Sequence, residues 1–519
     1  MPLRRPLILL ALALALHPPA AVSQSFPTAD TVIRRIWREG MERSEAERLA
    51  QVLMDSIGPR LSGSPGFQAA GDWLVRTYER WGVTARQERY GTWRGWQPGP
   101  THVDLTAPRA QTLEARLLAW SPGTKGPVEG PVVAPPEDPS PGEVERWLSG
   151  VRGAWVLLSP PEPTCRAPQE LEKYARPETV ERISALRERL EESWRRRLVA
   201  LGGRGLVEGL ERAGAAGVLT SEWSRGWGVN KVFDAPTRTI PALDVSCEDY
   251  GLLVRLAERR QGPRVRVTAD AADLGTVPMF NVIARIEGVE RPGEFVVLSA
   301  HLDSWHGATG ATDNGTGTIS MLEAMRILRA AYPRPRRTIL VGHWGGEEQG
   351  LNGSGAFAAD HPEVVAGLQA LFNQDNGTWR AEYLEAQGLA RAGEHLARWV
   401  SLVPAEIAGH LKLDAPGPQS NGGSDHSSFL CRGAPAFRLQ SSYSEYRQYT
   451  WHTNRDTFDK IVFDDLRNNA TLAAMLAYAA SEDPERVPRD RAALPPDSRT
   501  GQPRSWMRCG MPERSADRE

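Results

Sequence analysis

Residues 295–305 read FVVLSAHLDSW, and residues 312–331 read TDNGTGTISMLEAMRILRAA. The first begins with a continuous apolar run, Phe295 to Ala300, of the kind that forms a strand buried on both faces. The second carries Ile319, Leu322, Met325 and the pair Ile327-Leu328 as an apolar stripe, which predicts a helix over Gly315 to Ala331. A buried strand followed by a helix is the repeating unit of an α/β fold. The same alternation continues on either side. Asn281 to Ile286 alternates as a strand, and Thr338 to Gly342 and Leu368 to Phe372 are further short strands. The pattern predicts an α/β fold with a largely parallel or mixed sheet covered by helices on both faces.

Upstream, Ser44 to Glu47 has the form of a capping box ahead of Leu49, Val52, Leu53 and Ile57. Gly58-Pro59 ends that helix, a second runs from Pro65 to Trp81, and the charged, alternating stretch after Gly82 reads as a strand. Residues 125–245 differ in character. Short strands at Pro131–Val133 and Ala154–Leu158 precede a highly charged helix, Glu178 to Arg197, and a helix end then turns into a strand at Ala213–Leu219. Structureless loops of that length are rare in compact domains, so this block is read as an inserted α/β domain. The main domain then comprises 24–124 and 246–482. The tail, 483–519, is rich in Pro, Arg and Asp and is expected to be disordered.

Residues 1–23 have the layout of a secretory signal peptide: Arg4-Arg5, an apolar run from Leu7 to Leu16, then Ala21-Val22-Ser23. This predicts a secreted or periplasmic protein with no stable membrane insertion, since the run falls short of the ~20 apolar residues of a span. A net charge of −2 gives no reason to expect nucleic acid as a partner. Cys165, Cys247, Cys431 and Cys509 show no C-x-x-C spacing, which argues against a thiolate metal site. Export permits disulfides, in any of three pairings, with Cys509 expected to lie in a loose tail.

The residues that carry chemistry follow the predicted strands, where ligand-binding groups gather in open α/β sheets. They are His301 and Asp303; Asp313 at the entry to a helix; Glu347 and Glu348; Asp375; and His452. Singly, each has a bland reading as a surface pair, a helix cap or an acidic turn. As an ordered set of imidazole and carboxylate donors they suit Zn²⁺, and also Mn²⁺ or Co²⁺. A set with one shared carboxylate suits two metals. Of two adjacent glutamates, one can ligate while the other serves as general base.

The stretches 295–305 and 312–317, with GPRLSGS at 58–64 and SDHSSF at 424–429, closely resemble the co-catalytic dizinc exopeptidases, a family of secreted aminopeptidases and carboxypeptidase Q-type enzymes. The resemblance covers about residues 30–480. It implies a three-layer sandwich, two Zn²⁺ per chain, peptide substrates and, by analogy, a homodimer. It further implies that His301, Asp313 and Asp375 hold one zinc, and that Asp313, Glu348 and His452 hold the other. Glu347 is then the general base, and Asp303 orients His301. It implies a cis Asp313–Asn314 bond, and a protease-associated character for the insert. Where relatives of the carboxypeptidase Q type often carry Asp, this chain has His306, which bears on substrate preference. Trp305, Trp344, Trp379 and Trp451 lie beside the motifs, either as walls of a side-chain pocket or as core beneath the strand ends. Asp425, Arg432, Arg438 and Arg447 are candidates for recognising a peptide terminus. Rival readings are a single-zinc glutaminyl cyclase, a non-catalytic binding protein on a peptidase fold, and a hydrolase of non-peptide amides.

Overall fold

The computed structural model describes residues 28–516, apart from 138, 376, 420–422, 443–444, 495, 497–499 and 503. The proposed signal peptide lies outside the described residues. No described helix is long and apolar enough to cross a membrane.

The main sheet is built on a long antiparallel ribbon, β1 (Thr84–Ala107) with β7 (Arg264–Ile286). In the smaller half of the molecule lie β2 (Ala115–Leu117), β3 (Val128–Val133), β4 (Trp155–Leu157), β5 (Gly217–Thr220) and β6 (Ala242–Val245). The larger half holds β8 (Arg291–His301), β9 (Arg337–Trp344), β10 (Leu368–Gln374), β11 (Ala381–Glu385), β12 (Lys412–Asp414) and β13 (Ala436–Ser441). Its strand order is β12-β11-β13-β10-β8-β9-β7. The four strands β9, β8, β10 and β13 run parallel, while β7 and β11 join antiparallel to them. The result is the mostly parallel, mixed α/β sheet the sequence predicts.

Helices flank this sheet. Helix α1 (Pro65–Arg80) starts on Pro65, with the Ser64 hydroxyl accepting from Phe67 N, and packs on β1 and β7. Helix α2 (Thr316–Ala331) and the long helix α3 (Phe463–Glu482) pack on each other and on the central strands. Helix α2 is not merely striped: every residue from Thr316 to Leu328 is buried. Its two buried charges are paired, Glu323 with Arg326 at 2.8 Å and Arg326 with Glu39 at 3.1 Å, while the third, Arg329, is exposed. Glu323 also takes Glu45 N and the Ser44 hydroxyl. The expected capping box at Ser44 therefore does not form: Ser44 Oγ accepts from Ala46 N instead, and the helix begins there.

The smaller half continues the order from β7 through β3-β4-β5-β6 to β2. It has its own apolar cluster, including Val151, Val156, Leu206, Leu210 and Val218. It extends beyond 125–245 on both sides, because β2 pairs with β6 and because Cys165 is bonded to Cys247 at the start of the helix that follows β6.

The tail departs from expectation. Cys509 is paired with Cys431, so none of the four cysteines is free. Arg489 donates to the carbonyls of Val365, Ala366 and Leu368. Farther on, Arg514 pairs with Asp360 at 2.8 Å and its carbonyl accepts Thr92 N at 2.8 Å. Composition suggested disorder. A covalent tie and arginine–carbonyl bonds hold the described part of the tail against the domain instead.

Candidate metal centre

The sheet brings the predicted donors together at the C-terminal ends of the parallel strands. His301 is the last residue of β8, Asp375 directly follows β10, and Glu347 and Glu348 follow β9. Asp313 stands at the mouth of α2, before a cis bond to Asn314. His301 Nε2 lies 3.3 Å from Asp313 Oδ1 and 3.5 Å from Asp375 Oδ1. On the other side, His452 Nε2 lies 3.3 Å from Asp313 Oδ2 and 2.9 Å from Glu348 Oε2. The two oxygens of Asp313 thus face two different histidines, as a shared carboxylate must. Ligand atoms of His301, Glu347 and Asp375, and separately of His301, Asp313 and Glu348, all fall within 4.8 Å of one another.

His301 Nε2, Asp375 Oδ1 and Glu348 Oε1 are buried with no hydrogen-bond partner. Leaving buried polar atoms unmet costs on the order of 1–3 kcal/mol each unless something else satisfies them. The donors are imidazole nitrogens and carboxylate oxygens without thiolate, so the set fits zinc.

Second contacts fix these groups. His301 Nδ1 lies 3.0 Å from the Asp303 main-chain carbonyl but 3.7 Å from its carboxylate. The carbonyl therefore has the shorter hold on the imidazole. The Asp303 carboxylate instead accepts the amides of Glu347 and Glu348, at 3.2 and 3.3 Å, and so positions the glutamate turn. Asp456, which the sequence reading passed over, accepts the amides of Thr312 and Asp313 at 2.8 and 3.0 Å and holds the loop that presents the Asp313 carboxylate. Arg60 was also missed, although it lies within GPRLSGS. Its fully buried guanidinium donates to the carbonyls of Gly58, Leu302, Thr309 and Gly310, tying the first loop to the strand end and the Asp313 loop. A lone arginine in a Gly-, Leu- and Ser-containing turn is the signal that was available.

The electrostatics are those of an anionic hollow. Burial pushes the Glu347 carboxyl well above the usual range, and Asp375, Asp425 and Glu348 add to this against the pull of His301. Burial likewise lifts Glu348 to about 7, with His452 opposing. Burial would raise Asp313 too, but His301 and His452 hold it below the ordinary range. His452 itself is raised to about 9, the Glu348 charge overcoming burial.

The tryptophans divide. Trp344 is core, packed on Phe357 and Phe429 and donating to Ser299. Trp379 is partly exposed. Trp305 donates Nε1–H to Glu348 Oε2 at 2.8 Å, and Trp451 stacks on His452 with centroids 3.9 Å apart. Beside them opens a cavity of about 760 Å³ between the two halves, lined by Trp93, Trp120, Phe233, Trp305, Glu348 and Gln349 among others. His306 lines a separate cavity with Pro98, Arg116 and Leu117. It is bonded to the Leu117 carbonyl at 2.8 Å, and burial lowers it to about 4, so it is a neutral contact between the halves. Arg432 is committed to the Ser428 carbonyl at 2.6 Å, while Arg447 lies over the Trp451 ring.

Residues 281–477, which contain all of these donors, match the model of Peptidase family M28. The chain is a metallopeptidase, and this stretch is similar to the co-catalytic zinc exopeptidases. Carboxypeptidase Q of Rattus norvegicus is 26% identical to this metallopeptidase over 447 residues, covering 85% of this chain and 86% of the relative. The crystal structure of a Peptidase M28 precursor from Shewanella amazonensis SB2B shares the fold with a TM-score of 0.63 at 22% identity, covering 90% of this chain and 98% of that one. The zinc aminopeptidase BSAP of Bacillus subtilis gives 0.53 at 18% identity, covering 86% and 96%.

Proposed function

We propose that this metallopeptidase is an exported exopeptidase that binds two zinc ions and hydrolyses dipeptides or short peptides. The observation that carries this reading is the placement of Asp313, one carboxylate oxygen toward His301 and the other toward His452. His301, Asp313 and Asp375 would hold one ion, and Asp313, Glu348 and His452 the other. When bound, the pair supplies the Lewis acidity that polarises a scissile carbonyl and lowers the pKa of water. The chain supplies the rest. Glu347 accepts the proton of the attacking water at a carboxylate oxygen and returns it to the departing amine nitrogen. Asp303, through the two amides it accepts, keeps Glu347 and Glu348 in their separate roles. The cavity beside Trp305 offers an apolar wall for a side chain next to the cleaved bond.

Two disulfides support the reading of residues 1–23 as an export signal, since such bonds persist in oxidising compartments. The similarity to carboxypeptidase Q across both halves supports a protease-associated character for the insert and a carboxypeptidase or dipeptidase activity; the aminopeptidase BSAP supports the alternative of acting at a free amine. The test is cleavage of an unblocked dipeptide beside its N-acetylated and C-amidated forms, with zinc and then with a chelator. Cutting of only the fully unblocked dipeptide marks a dipeptidase. Tolerance of acetylation alone marks a carboxypeptidase, and tolerance of amidation alone an aminopeptidase. Cleavage that survives the chelator, or none of any form, sinks the proposal.

A further inference from the structure

The His452 side of the centre is held in part from outside the half that carries it. His452 sits in a loop with φ +59, a left-handed conformation that costs a non-glycine residue on the order of 1 kcal/mol and persists only where its surroundings impose it. The surroundings come from the smaller half. Its segment Asn230–Asp234 lies antiparallel to the loop, bridging at Lys231 and Thr453, and Val232 N donates to the His452 carbonyl at 2.9 Å. Asn230 and Asn454 clasp each other: Asn230 N donates to Asn454 Oδ1 at 2.9 Å, and Asn454 Nδ2 donates to Asn230 Oδ1 at 3.1 Å. The remaining Asn230 amide donor is spent on the carbonyl and carboxylate of Asp244 at the end of β6, both at 3.1 Å, which anchors the clasp in the smaller sheet.

The imidazole is gripped as well. Phe233 stands edge-on to it, centroids 5.1 Å apart at 75°, and also meets Trp305 and Trp451. Lys231 Nζ sits 4.2 Å over Trp451, which stacks on His452. Thus backbone, side-chain amides and rings from one segment all converge on a single donor.

We infer that Asn230–Asp234 is a latch that sets the position of His452, so that docking of the smaller half controls how tightly the His452-side metal is held. The residues are positioning residues, acting through His452 rather than on substrate. The inference rests on the two-metal reading above and gives the smaller half a part in it: separation of the halves would release one ion and leave the other.

The test is zinc release from the full-length protein under a graded chelator, at fixed pH, with near-UV circular dichroism to follow the fold. His452→Ala identifies the step that belongs to its side. In Phe233→Ala that step should shift by about 10- to 100-fold toward easier release, the usual effect of losing a group that orients a ligand, while the other step stays put. Lys231→Met, a milder change that keeps the fold if Phe233→Ala does not, should shift the same step by about threefold through loss of one of the two cations over Trp451, Arg447 being the other. Steps that are both unchanged in a folded variant overturn the latch. So do steps that move together, which would report general loosening. If the wild-type protein releases a single ion, the two-metal reading itself falls and the latch with it.

Discussion

The two sides of the centre are built by different means. On one, His301 ends a parallel strand and Asp375 follows its neighbour, both buried, with the Asp303 carbonyl and carboxylate fixing the imidazole and the glutamate turn. On the other, His452 rides on a loop and borrows its rigidity from residues more than two hundred positions earlier. A ligand on a sheet is positioned by the core. A ligand on a loop needs a brace, and a brace can be let go.

The largest effect that probes this contrast is Glu347→Gln. The variant keeps every donor on both sides but removes the proton acceptor. Turnover should fall about 10³-fold with zinc content unchanged, measured as kcat on an unblocked dipeptide and metal per chain. Loss of metal along with activity would make Glu347 a ligand rather than a base.

The larger half carries a strap of a different kind, the tail. Glu513 N donates to Asn352 Oδ1 at 2.7 Å, Pro512 lies against Gly355, and Gly91 has no side chain where a Cβ would strike the Arg514 carbonyl at 2.2 Å. Cys431 and Cys509, 78 residues apart, tie that strap down. Changing both to serine should cost about 4 kcal/mol by the entropy of the freed loop, read as a lower denaturation midpoint. Release of the His452-side ion should not change. If it does, the strap and the latch are coupled and the contrast drawn above is too sharp.

What the sequence disclosed follows the same division. The strand runs, the helix after Asp313 and the donors at strand ends were legible, because each is a local pattern: an apolar run, a 3.6-residue stripe, a polar residue just past both. His452, the proposed ligand on the other side, stood out as a member of the ordered set. Its support was not legible, since Asn230, Lys231 and Phe233 carry no local sign that they will meet residues 452–454. Arg60 and Asp456 escaped for a related reason. They bind main-chain groups of distant loops, and no side-chain pattern announces a carbonyl or an amide in need of a partner. The tail was misread because composition reports average solvation, whereas one disulfide and a few arginine–carbonyl bonds decided its placement.

The seam between the halves offers a pH test. His306 is neutral in the fold, lowered to about 4 by burial, against about 6.5 in an unfolded chain. Between those values the unfolded state binds the extra proton, so stability is whole above about pH 6.5 and drains away as the pH falls toward 4. The loss should approach about 3 kcal/mol at the acid end. His306→Gln can keep a donor for the Leu117 carbonyl and should flatten the stability profile in that window, as followed by urea denaturation at a series of pH values. His343 and His426, both lowered to about 3 by burial, set a background of the same sign that the variant leaves in place.

The smallest predicted effect falls on the residue the two sides share. Trp305 follows the sheet-borne motif in sequence, yet it gives its indole N–H to Glu348 Oε2 and its ring to Phe233 and His452. Trp305→Phe keeps an aromatic ring and removes only the donor. Because Glu348 Oε2 still has His452 within 2.9 Å, the carboxylate is loosened rather than freed. The His452-side ion should bind about tenfold more weakly while thermal stability barely moves. An unchanged affinity would mean that Trp305 serves only as packing, and that the latch from the smaller half holds this side of the centre unaided.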